Sequence, residues 1–133
     1  MKNSENYLSL VGRVLMAILF LPAGVGKIFG FAGTVAYISS AGLPLATIAA
    51  IGAIVIEVLG GIALVLGIYT RISAIFLALF TLVASMVFHA FWSAPVEQAF
   101  VTQLLFTKNI AVIGGLLTIA AFGAGKYSLD AKK

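Results

Sequence analysis

Long apolar runs alternate with short polar breaks along the chain, at about residues 8–29, 45–69, 72–92 and 103–122. Each is about 20 residues long, enough for a helix rising about 1.5 Å per residue to cross a hydrocarbon core about 30 Å thick. In that solvent a backbone must satisfy its own N–H and C=O groups, so each run is expected as a helix. The first break, GFAGTVAYISSAGLP, is rich in glycine and serine and closes on Pro44, which predicts one helix stopping and the next starting. The second, Tyr69-Thr70-Arg71, predicts a helical hairpin with almost no loop. In the third, SAPVEQ, Ser93 is placed to cap a helix with Pro95 in its first turn, and that helix runs on into the fourth span until Gly123 and Gly125. The pattern predicts an all-α, four-transmembrane-helix bundle, with residues 1–133 as a single domain.

Composition agrees with that solvent. At 62% hydrophobic and 9% charged residues, with a mean hydropathy of +1.19, the chain has too little polar surface to coat a water-soluble globule. The absence of cysteine removes disulfides, thiolate metal ligands and iron–sulfur clusters. The net charge of +4 is scattered, with no basic stripe and interleaved aromatics, so nucleic acid is not the expected partner and the lipid bilayer is. Lys2 ahead of an apolar run, with Ala23 and Gly24 after it, imitates a signal peptide, but Arg13 interrupts the run and the segment reads as the first span. Lys2, Arg13, Arg71, Lys126, Lys132 and Lys133 fall on the side of the termini, and only Lys27 and Lys108 on the other. The positive-inside rule therefore puts both termini in the cytoplasm, in a bacterial inner membrane.

Against this background the polar residues inside the spans stand out. Glu57 falls near the middle of the second span, where an unpaired charge costs several kcal/mol. Arg13 and Lys27, fourteen positions apart, share one face of the first span. Thr81, Ser85 and His89 recur every fourth residue on the third, and Lys108 and Asn109 lie on the fourth. These groups are expected to converge in the outer half of the bundle, with Arg13, Lys108 or Lys27 as the cation facing Glu57. A carboxyl left without a cation there would keep its proton and could carry it. A structural ion pair that only fixes helix register accounts for the same residues, as does snorkelling for Lys27 and a topology anchor for Arg71. Gly26 and Gly30, Gly60 and Gly61, and Gly114 and Gly115 are expected at close helix contacts. His89 is a single histidine without HxxxH or ExxH spacing, so no metal or haem site is expected.

The order of these residues resembles the DoxX family of small four-helix membrane proteins. The matching elements are Gly12-Arg13, Gly26-Lys27, GLP at Gly42 to Pro44, EVLGG at Glu57 to Gly61 and GIYTR at Gly67 to Arg71. Phe88-His89, Lys108-Asn109 followed by Gly114-Gly115, and GAGKYSLD at Gly123 to Asp130 continue the set. The family takes its name from a subunit of a thiosulfate:quinone oxidoreductase, so the resemblance implies a membrane subunit or accessory of an oxidoreductase system. In that reading Arg13, Lys27, Lys108 and Asn109 bind a quinone-like molecule or small anion, and Glu57 and His89 move protons as the catalytic pair. No covalently bound cofactor is expected, and quinone is the candidate diffusible one. Electrons would come from a soluble or membrane oxidoreductase partner, and a homo-oligomer is compatible with the chain. A proton or solute transporter or channel, or a structural scaffold, are the competing classes.

Overall fold

The computed structural model describes residues 2–133. Its helices are α1 Lys2–Phe29, α2 Phe31–Ser40, α3 Ala46–Leu66, α4 Thr70–Phe88 and α5 Val96–Phe122, with single 3-10 turns at Phe91–Ser93 and Asp130–Lys132. Four helical segments, Lys2–Phe29, Ala46–Leu66, Thr70–Ser93 and Val96–Phe122, are long and apolar enough to cross a membrane. The protein is an all-helical integral membrane protein. α1 packs along α3 and α4 along α5, and the two pairs meet chiefly through α3 and α4.

The first break holds a helix of its own, α2, which the sequence reading did not expect, and only residues 41–45 are a non-helical connection. The hydrogen-bond ladder runs from α1 into α2: Gly30 N–H donates to Gly26 O at 2.9 Å and Thr34 N–H to Gly30 O at 2.9 Å. Gly30, at φ −104° and ψ 38°, turns the axis there and α2 folds back over α1 and α3. Ten residues are too short to register as a span, and the glycines mask the helix in the sequence. Ser93 does not cap α5 either; its hydroxyl donates to Ala90 O at 3.3 Å within the 3-10 turn, and Pro95 is the residue flanking the helix start.

Both termini lie at one end of the bundle with the α3–α4 turn. Ser9 Oγ donates to Ala124 O at 2.9 Å, and the Tyr7 and Tyr127 rings lie 4.9 Å apart. α3 stops at Gly67, whose φ of +66° is costly for any residue with a side chain. The chain re-enters α4 through Tyr69, also left-handed at φ 46°, and Asp130 holds it there by accepting from Tyr69 N–H at 2.8 Å and Thr70 N–H at 2.9 Å. A carboxylate at a helix N-terminus satisfies orphan donors and complements the dipole.

Two arginines do the reciprocal work at helix C-termini. Arg13, fully buried, donates from Nη1 to Leu64 O at 2.6 Å and Val65 O at 3.2 Å, the last carbonyls of α3, and from Nη2 to Tyr127 O at 2.6 Å. Arg71 donates to Ala120 O and Ala121 O at the end of α5. Above this belt lies the apolar core of Ala17, Phe20, Leu64, Leu77 and Leu116. The half of the bundle farther from the termini is less tightly filled, and the polar residues gather there.

Candidate functional site

A cavity of about 520 Å³ opens in that half between α1, α2, α3, α4 and the middle of α5. Lys27, Glu57, His89, Lys108 and Asn109 all line it, and Phe20, Ile56, Phe80, Val87 and Phe88 are among its apolar walls. Of the six residues expected to bind a ligand or move protons, only Arg13 lies elsewhere. Its guanidinium sits among backbone carbonyls at the terminal end, so it neither faces Glu57 nor lines the cavity.

The cation facing Glu57 is Lys27. Its Nζ lies 3.0 Å from Oε1 and 2.9 Å from Oε2, and it donates to both carboxylate oxygens. Lys27 therefore does not snorkel outward; its side chain keeps 29% of its surface exposed while that of Glu57 keeps only 6%. Gly24 makes this geometry possible. Built onto it, a Cβ would stand 2.7 Å from Val58 Cγ2 and 3.0 Å from Glu57 Cβ, so glycine alone lets α1 lie this close to α3. Gly61 does the same against Leu21, whereas Gly26, expected at a helix contact, has nothing within 4 Å of its Cβ position.

Across the cavity, the polar stripe of α4 satisfies itself. Thr81 Oγ1 donates to Leu77 O at 2.7 Å, Ser85 Oγ to Thr81 O at 2.6 Å, and Asn109 Nδ2 to Ser85 Oγ at 2.9 Å. This chain ties α5 to α4 and fixes the Asn109 amide at the wall. His89 ends α4, its N–H donating to Ser85 O at 3.0 Å, and its half-buried ring lies within electrostatic reach of Lys108. Lys108 itself is exposed.

Sequence reasoning missed the contribution of α2. Thr34, Tyr37 and Ile38 line the cavity, and the Tyr37 ring stacks on Phe88 with centroids 5.0 Å apart, joining α2 to the end of α4. A tyrosine in a glycine- and serine-rich break between spans carries no signal for that. No group of three His, Cys, Asp or Glu among the described residues is placed to hold a metal ion.

The DoxX family model matches residues 8–90, which is most of the chain and includes Lys27, Glu57 and His89. The chain belongs to the DoxX family. This DoxX protein is 41% identical over 130 residues to Inner membrane protein YqjF of Escherichia coli, covering 98% of the chain and 95% of the relative. It is 36% identical to Inner membrane protein YphA of the same organism, covering 92% and 88%. A more distant likeness, 27% identity to a Surfeit locus protein 4 homolog of Schizosaccharomyces pombe, covers 98% of the chain but 39% of that protein. No solved structure matches. Together with its apolar spans, these relatives make the DoxX protein an inner-membrane protein.

Proposed function

We propose that this DoxX protein is a membrane subunit or accessory of an oxidoreductase system and that its cavity holds a small lipid-soluble molecule with acceptor oxygens, of the quinone class. The carrying observation is the convergence of Lys27, Glu57, His89, Lys108 and Asn109 on a single cavity whose other walls are apolar. At about 520 Å³ it lies within the ~300–1,000 Å³ of small-molecule sites, which are mostly apolar with a few placed polar groups. A flat ring with oxygens at its edge fits such walls, and a small hydrophilic anion fits them less well. Lys27, Lys108 and His89 supply the donors that acceptor oxygens need.

When bound, a quinone supplies electron and proton carriage. The protein's own residues hold, orient and protonate. His89 exchanges protons near the mouth. Lys27 gives Glu57 a counter-charge at both oxygens; if Lys27 swings to another acceptor, that counter-charge is lost and the carboxyl becomes a place for a proton. Electrons come from a partner, since the chain has no cysteine and a single histidine. The excess of Lys and Arg at the end of the termini supports that end as cytoplasmic, with the cavity in the outer half.

Lipid extracted from the purified protein is expected to contain quinone in excess of the surrounding membrane, and Glu57→Gln is expected to fold normally yet abolish quinone-dependent turnover in membranes. If Glu57→Gln instead stops flux of a proton or small solute, the cavity belongs to a transporter. A loss of stability with no other change leaves a scaffold.

A further inference from the structure

We infer that the molecule held in the cavity carries one negative charge on its head and that this charge rests on Lys108. The inference deepens the reading of the cavity as a lipid-soluble ligand's site, and it comes from the balance of charges around the cavity. Lys27 and Glu57 cancel each other in a two-oxygen ion pair. That leaves Lys108 as the remaining formal charge on the lining. Among the described residues Lys108 makes neither a hydrogen bond nor an ion pair, although it sits five residues, or about 8 Å, inside the Gln103 end of the fourth apolar run.

The protein has no carboxylate to give it. Besides Glu57 the chain holds Glu5, Glu97 and Asp130. Glu5 lies near the start of α1 and Asp130 caps α4, both at the opposite end of the bundle. Glu97 is eleven positions before Lys108 on α5, about 16 Å along the helix. Lys108 is exposed at the edge of a cavity whose other walls are mostly apolar, where a counter-charge stabilises a cation, and here the ligand supplies it. The ring of His89 beside it offers a second polar contact, and the apolar walls take the body of the molecule. The ligand class is therefore an amphipathic monoanion: a ring-hydroxylated quinone in its ionised form, or a single-chain carboxylate.

The test uses matched pairs on the full-length protein in nanodiscs of zwitterionic lipid. One pair is a ring-hydroxylated naphthoquinone, ionised at neutral pH, and its neutral methyl ether; the other is a single-chain carboxylate and its methyl ester. At least one anion is expected to bind about tenfold or more tighter than its neutral partner, equivalent to about 1.4 kcal/mol. Lys108→Gln is expected to erase that preference and Lys108→Arg to keep it. Lys108 makes no hydrogen bond or ion pair among the described residues, so both variants should fold. Equal binding within each pair, or a preference unchanged in Lys108→Gln, overturns the inference and leaves the cavity as a site for neutral molecules. Failure of all four probes to bind overturns the inference and the quinone-class reading together.

Discussion

A buried ion pair is asymmetric when its two members differ in exposure, and the pair in this DoxX protein differs sharply. Glu57 is 5% exposed, whereas the Lys27 side chain keeps 29% of its surface. Removing the lysine strands a charge that has no other partner; removing the carboxylate frees an ammonium that can extend outward. Lys27→Met is expected to lower stability by about 3–5 kcal/mol, Glu57→Gln by much less, and the double variant to recover most of the loss. Thermal unfolding of the variants in detergent checks the order; a Lys27→Met no less stable than Glu57→Gln would show that stranding the carboxylate carries no extra cost. The presence of an inward carboxylate was legible from its position in an apolar run. Its partner was not: Arg13, Lys27 and Lys108 were equal candidates, because side-chain reach alone does not distinguish cations on different helices.

At the scale of elements, the choice was made by how closely and at what offset the helices pack. Gly24 sets the approach of α1 to α3 one turn below Lys27. Gly24→Leu should force the helices apart, lose the ion pair and cost about 1–3 kcal/mol, while Gly26→Leu, with open space at its Cβ, should be near neutral. Similar losses for the two would remove Gly24 from its role. The C-terminal segment is the second such device, since Asp130 pins the α3–α4 turn from sixty residues away in sequence. Burial works against its charge, but hydrogen bonds from the Thr70 and Tyr69 amides and the nearby Lys133 outweigh it and hold its pKa below the ordinary value. The folded pKa is thus the lower one, so the contribution of Asp130 is fully present above about pH 4, the unfolded value, and is lost as pH falls through the folded value. Amide exchange at Tyr69 and Thr70, compared with that of Asp130→Asn, is expected to lose its protection only below that point. Protection unaltered in the variant would contradict the cap.

For the whole molecule, cysteine-free composition gives a clean test of orientation. With the termini cytoplasmic, a single cysteine at Ser40, on exposed α2, should react with a membrane-impermeant maleimide added to intact spheroplasts, and one at Asn3 should react only after permeabilisation. The reverse pattern would turn the cavity toward the cytoplasm.

The spans, the solvent and the inward polar residues were determined by sequence alone, because hydropathy and helical spacing are local properties that twenty consecutive residues already carry. The tertiary structure decided what depends on rotation and axial offset between helices: Lys27 as the partner of Glu57, Arg13 as a clamp on carbonyls instead of a pocket residue, and α2 as a wall of the cavity. A lysine and an arginine on the same face of α1 differ in role because a glycine admits α3 beside one and a helix end stands opposite the other. Those distances are set by packing, and no stretch of the chain encodes them by itself.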